Sequence, residues 1–236
     1  MMYADTDAGR MEAAPGLQGT CPSCGHSCRP RCGKINVWHW AHHARADCDP
    51  WSEPTTEWHL GWQRVVPPER REVVMGSHRA DIVTASGGVV EVQHSSISVD
   101  VIAAREEFYG ARMAWIFDAT EADIRARPVA SARYGLCGCE PGDCSKGWGP
   151  ARCRRSQPGP VSAGQVRFHW SHPRRSVEAC GRPVLLDLGD GRLLRPWRFS
   201  ADHVEMNGTL YTRASVEGWL RDGTQLERII LEKPGH

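Results

Sequence analysis

Three short β-prone runs, at 72–75, 79–84 and 89–93, are joined only by "GSH" and "ASGG". Connections this short permit antiparallel hairpins and little else. A helix-like run, 53–66, precedes them. Pro54 suits its first turn, Trp58, Trp62, Val65 and Val66 share one face, and Pro67-Pro68 stops it. A second helix-like run follows, "SVDVIAAREEFYG", with Ser98 as N-cap, Val99, Ile102, Ala103 and Tyr109 on one face, and Gly110 at its end. "MAWIFDA" then reads as a buried strand, and a helix between the last two strands favours parallel pairing. The chain is thereby held to an α/β order of helix, three strands, helix, strand.

Within that frame two acids stand where valine is expected. Glu91 lies between Val90 and Val92, and a period of two puts it on the same face as Gln93. Asp81 begins the apolar stretch of the neighbouring strand, one hairpin away. Two carboxylates converging at a sheet end are costly without a cation or a changed protonation state. Hard oxygens meeting at one point suit Mg2+ or Mn2+. The plainer alternative is a solvent-facing pair bridged to Arg79 or Arg105. Glu57 and His59 in the preceding helix, and His94 after Gln93, weigh towards a site.

The 236 residues suffice for one domain with small appendages. Residues 1–17 lack a basic-then-apolar signal and read as a disordered leader. Residues 18–50, rich in Cys, His, Gly and Pro, read as a zinc-finger-like module. Residues 51–125 carry the periodic core, and 126–236 an α+β accessory unit with a hairpin turning at Gly189-Asp190-Gly191. No apolar run reaches the ~18 residues of a membrane span, so a cytoplasmic setting without membrane partners is expected. A net charge of +1 excludes a global positive field, so contacts with nucleic acid must be local.

Ten cysteines without a secretory signal argue for zinc over disulfides. Cys21-x-x-Cys24 followed by His39-x-x-His42 has zinc-ligand spacing, with Cys28, Cys32, His43 and Cys48 as competitors. Cys21, Cys24, Cys28 and Cys32 together form an all-cysteine alternative. A second site is open to Cys137, Cys139, Cys144 and Cys153, with Cys180, His169 and His172 as alternatives. Arg152, Arg154, Arg155, Arg174, Arg175, Arg192, Arg195 and Arg198, interleaved with Trp148, Trp170 and Trp197, suit single-stranded DNA or, more simply, a solvated face over core tryptophans.

Asp81, then Glu91-Val92-Gln93, on this frame resembles the PD-(D/E)XK nuclease superfamily in a variant with Gln at the usual Lys position. More narrowly, the chain is similar to the competence protein CoiA family. The matching stretches are Cys21-Pro22-Ser23-Cys24, His39-Trp40-Ala41-His42 (His-Phe-Ala-His in most of the family), Thr56-Glu57-Trp58-His59-Leu60, Arg79-Ala80-Asp81-Ile82, Glu91-Val92-Gln93-His94-Ser95, Ile97-Ser98, Arg105 to Tyr109, and Trp115-Ile116. They fall in order over about the first half of the chain.

The resemblance implies a restriction-endonuclease-like core in which Asp81 and Glu91 hold catalytic Mg2+ or Mn2+ and Glu57 completes the acidic site. Gln93 replaces the superfamily's lysine, and its amide can orient a water but cannot take its proton. His59 is the candidate base or phosphate contact, with His94 a weaker one, and Gln63 stands where relatives commonly carry Lys. The implied function is DNA cleavage in uptake, recombination or repair, alongside recombination-machinery proteins. The alternatives are an inactive DNA-binding or recombinase-partner module, and a defence or mobile-element nuclease.

Overall fold

The computed structural model describes residues 1–43, 48–51, 55–128, 164–199, 205–223 and 229. Cys137, Cys139, Cys144, Cys153, Trp148, Arg152, Arg154 and Arg155 lie outside them, as do the side chains of Trp197 and Arg198.

A small antiparallel sheet comes first: β1 (Tyr3–Thr6), β2 (Gly9–Glu12), β3 (Gly19–Thr20), β4 (Ser27–Arg31) and β5 (His39–His42), in the order β2-β1-β3-β4-β5. The leader expected at 1–17 is instead a β-hairpin, turned at Gly9 with a φ of 98°. Its anchors are remote in sequence. Asp5 pairs with Thr20, and the Glu72 carboxylate accepts the amides of Met2 and Tyr3 at 2.7 and 3.3 Å. Local patterning carries no trace of such partners.

Next come α1 (Glu57–Gln63), β6 (Arg71–Met75), β7 (His78–Val83), β8 (Val89–Gln93), α2 (Val99–Tyr109) and β9 (Met113–Asp118). The Thr56 hydroxyl caps α1 by accepting the His59 amide at 3.2 Å, which starts the helix later than its apolar pattern suggests. Ser98 caps α2 in the same way, and Gly110 closes it at a φ of 75°.

The chain continues through β10 (Ile124–Pro128), β11 (Gln165–Trp170), α3 (Arg175–Ala179), β12 (Val184–Asp187), β13 (Arg192–Phe199), β14 (Glu205–Thr212) and α4 (Arg213–Asp222). All the strands from β6 to β14 form one nine-stranded sheet, ordered β10-β11-β14-β13-β12-β9-β8-β7-β6. β8, β9 and β12 run parallel to one another, and the other pairs are antiparallel. The expected accessory unit is therefore no appendage, because β12 pairs directly with β9 and extends the central sheet.

Helices cover both faces. Ile102 of α2 and Val177 of α3 pack with Val89, Met113, Trp115 and Phe117. Trp62 of α1 and Val216 and Leu220 of α4 pack with Val90, Val92, Ala114 and Ile116 on the other side. All six β9 residues are buried, as a strand covered on both faces requires. Asp187, buried at the end of β12, fixes α1 to this sheet. Its Oδ2 accepts the indole N–H of Trp58 and of Trp62, each at 3.0 Å, and Arg213 Nη1 at 3.2 Å. The seat of α1 decides where His59 points.

Candidate metal and acid site

The β7–β8 ladder pairs Val83 with Val89 and Ile82 with Val90, then stops. Where Asp81 and Glu91 would face each other, side chains take over from backbone. The Asp81 amide donates to Glu91 Oε1 at 3.4 Å, and the Val92 amide donates to Asp81 Oδ2 at 2.9 Å. On the other flank the β6–β7 register pairs Arg71 with Ile82 and Val73 with Ala80, passing over Glu72 opposite Asp81. Glu72 has a φ of 44°, which among the described residues no other non-glycine matches in sign. A bulky residue held there stores roughly 1–3 kcal/mol of strain, a cost that recurs at functional sites. The sheet opens where the acids sit.

Asp81 and Glu91 line one polar cleft with His59, Arg105, Asp49 and Glu72. His59 Nε2 lies 2.9 Å from Asp81 Oδ1, and Gln63 Nε2 donates to the same oxygen at 3.3 Å. Arg105 of α2 donates from Nη1 to Glu91 Oε2 at 2.8 Å and from Nη2 to the Trp51 carbonyl at 2.6 Å. Glu91 is buried and Asp81 mostly so, yet their protonation diverges. Burial, then the charge of Asp81, push Glu91 up to about 8 despite Arg105. Burial also opposes ionisation of Asp81, but His59 and the Val92 amide overcome it and hold Asp81 below the usual carboxylate range. In turn, burial would lower His59, but the charge and hydrogen bond of Asp81 raise it. Asp81 and His59 thus form a charged pair beside a carboxyl poised to lose or keep its proton.

Two buried polar atoms here have no hydrogen-bond partner, the acceptor Gln63 Oε1 and the donor Arg105 Nε. An orphan of each kind is costly, roughly 1–3 kcal/mol. Two carboxylates this close, one kept protonated by burial and by the charge of the other, could hold a divalent cation once Arg105 gives way.

Glu57 does not join them. It occupies the first turn of α1, exposed, 3.7 Å from Arg64. The expected third acid fails on helix phase, since Glu57 and His59 are two residues, about 200°, apart around the axis. Gln93 is buried, with Nε2 donating to the Ser95 carbonyl at 2.9 Å. His94 stands apart, its Nδ1 2.7 Å from Asp118 Oδ2. The residue that sequence reasoning placed only as a salt-bridge partner is Arg105, and its signal was the helical spacing that puts it on the same face as Ile102 and Tyr109.

The second cluster gathers Cys21, Cys24, His42 and Cys48, whose ligand atoms all lie within 4.8 Å of one another. Cys21 and Cys48 sulfurs are 3.7 Å apart, and Cys24 Sγ is 3.2 Å from His42 Nε2. Three sulfurs and an imidazole can hold a structural metal such as zinc in a closed tetrahedral shell. A tight turn presents the first pair: the Gly25 amide donates to the Cys21 carbonyl at 2.8 Å, with Gly25 at a φ of 70°. His39 is displaced from the expected set by Cys48. In strand β5, residues three apart point to opposite faces, so His39 and His42 cannot converge. His39 Nδ1 instead lies 2.8 Å from the Val37 carbonyl. Among the described residues this is the sole cluster of three or more such ligands, and Cys180 sits apart with its thiol on the Ser176 carbonyl.

One short segment ties the two sites together. Cys48 is followed by Asp49, whose carboxylate takes His78 Nδ1, the Arg79 amide and the Trp51 amide, each at 2.9 Å. Trp51 then holds Arg105 through its carbonyl. Among the described residues no helix is long and apolar enough to cross a membrane. Searches of protein-family models, of characterised proteins and of solved structures return no match to this chain.

Proposed function

We propose that the chain is a metal-dependent DNA nuclease with a PD-(D/E)XK-type core, of the kind found in the competence protein CoiA family, acting in DNA uptake, recombination or repair. The observation that carries this reading is the pair of carboxylates, half-buried Asp81 and buried Glu91, facing one cleft where two strand ladders part. The order α1, β6, β7, β8, α2, β9, with β8 and β9 parallel, supports it.

Asp81 and Glu91 would hold Mg2+ or Mn2+. When bound, such an ion polarises a phosphoryl oxygen and lowers the pKa of water. His59 keeps Asp81 charged and fixes its Oδ1, so it acts through Asp81. Arg105 supplies the positive charge that Gln93 lacks, and its unpartnered Nε is a donor for a phosphate oxygen. The Cys21, Cys24, His42 and Cys48 cluster, with zinc, would fix the segment that seats Arg105.

The second reading is a DNA-binding module that no longer cleaves, favoured by one observation: Glu91 already holds Arg105 at 2.8 Å, and both side chains are about 95% buried. The two part in one assay. Purified protein is incubated with single- and double-stranded DNA and Mg2+ or Mn2+, beside Asp81→Asn and Glu91→Gln. Cleavage by the wild type alone supports the nuclease. Equal inactivity of all three, with DNA still bound, leaves the binding module.

A further inference from the structure

We propose that the β4–β5 hairpin is a docking surface for single-stranded nucleic acid, with Arg31 and Lys34 on the phosphates and Trp38 stacked on a base. This rests on the DNA reading of the acid cleft and names where the strand is held before it reaches that cleft.

The hairpin sorts its side chains by face. Cys28 and Trp40 point inward and pack with Cys21 and Ala4. Arg29 pairs across with Ala41, and Arg31 with His39, on the outward face. Both arginines are exposed, as is Lys34 at the tip. None of the three makes an ion pair among the described residues. Nearby acids are engaged elsewhere: Glu12 accepts the Tyr3 hydroxyl at 3.0 Å and Glu57 faces Arg64. Asp5 and Asp7 share a groove with Arg29 alone, which is why Arg31 and Lys34 carry the inference.

The tip is also apolar in a way that stability does not require. Ile35 is 96% exposed and Trp38 49%. Trp38 is not loose, because its indole N–H donates to the Gly33 carbonyl at 3.1 Å and sets the ring across the loop. A fixed exposed indole flanked by unpaired cations matches the combination that binds single strands, with backbone charge met by cations and bases met by stacking. An acidic peptide would use the cations and waste the ring. A duplex hides the faces of its bases.

The tip also borders α1. Residues 33–38 share a groove with Glu57 and Leu60 of α1 and with Arg64 just beyond it, and the same helix carries His59 to Asp81.

The test is fluorescence anisotropy of labelled oligothymidylate on the full chain, in the Asp81→Asn background so that cleavage cannot intervene. Trp38→Ala should weaken single-strand binding about tenfold and leave duplex binding unchanged. Arg31→Ala with Lys34→Ala should weaken both and flatten the salt dependence by about two phosphate contacts. All three side chains are exposed, and circular dichroism and zinc content check that the variants are intact. Wild-type affinity and salt slope in these variants overturns the proposal. So does an equal loss on Arg175→Ala, which would move the strand to α3, or equal competition by polyglutamate, which would reduce the surface to charge. Binding that follows the hairpin while wild type shows no cleavage sustains this inference and fails the nuclease.

Discussion

Lowering the pH from about 8 to about 6 should weaken divalent-cation binding in the acid cleft about fiftyfold, and Glu91→Gln should abolish that dependence. Burial and the charge of Asp81 set Glu91 at about 8, so near neutrality it holds a proton that an incoming cation must displace. Apparent affinity then follows the ionised fraction, about a tenth at pH 7 and a hundredth at pH 6. Stability of the metal-free protein moves the opposite way. A folded pKa above the model value of 4.5 means that the share contributed by Glu91 is fully present below that value and is lost as pH rises through about 8. On the order of 4 kcal/mol is at stake, a large part of a typical domain's stability. His59, also raised, acts in the same sense from 6.5 upward. Calorimetric titration of Mn2+ at several pH values, with thermal melts of the metal-free protein, reads both. Glu91→Gln keeps the acceptor for the Asp81 amide but cannot ionise, so its Mn2+ affinity should be weak and flat with pH. Wild-type affinity that is also flat between pH 6 and 8, or that changes only near 4.5, refutes the reasoning.

In Asp81→Asn, His59 loses the charge and hydrogen bond that most oppose its burial and keeps only the pull of Glu72 and Glu91, so its pKa should fall from the wild-type position, as histidine-selective NMR titration will show. Cys48→Ser should reduce the zinc content while His39→Ala leaves it at the wild-type level, measured by metal analysis of purified protein. Asp187→Ala leaves the buried Trp62 indole N–H and the half-buried Trp58 indole N–H without their acceptor, while Arg213 keeps Glu217, and should cost roughly 2–3 kcal/mol by urea denaturation. A loss below about 1 kcal/mol would mean that α1 is held by its apolar face alone.

Legibility in the sequence followed distance along the chain. The hairpins of β6, β7 and β8, the capped α2 and the buried β9 were readable because turn residues, caps and periodicity all act within a few residues. The β1–β2 hairpin was not, because although its two strands pair locally, what anchors β1 is Thr20 and Glu72, remote in sequence. The C-terminal half looked like a separate unit because nothing local says that β12 will lie beside β9. In the site, Asp81 and Glu91 stood out as acids in a strand. Glu57 misled because its proximity to His59 in sequence ignored helix phase, and His39 because a spacing that works on a helix fails on a strand. Cys48 carried no motif at all: it lies 24 residues beyond Cys24, and only folding delivers it. Arg105 was visible as a helical cation, but its partner depended on which face of β8 met α2.

Crystals soaked in Mn2+ above pH 8 and measured at the manganese absorption edge test the central claim most directly. An anomalous peak touching oxygens of both Asp81 and Glu91, at about 2.1–2.2 Å, with Arg105 displaced from Glu91, is the expected result. No peak at saturating Mn2+, with Arg105 still bonded to Glu91, would contradict it.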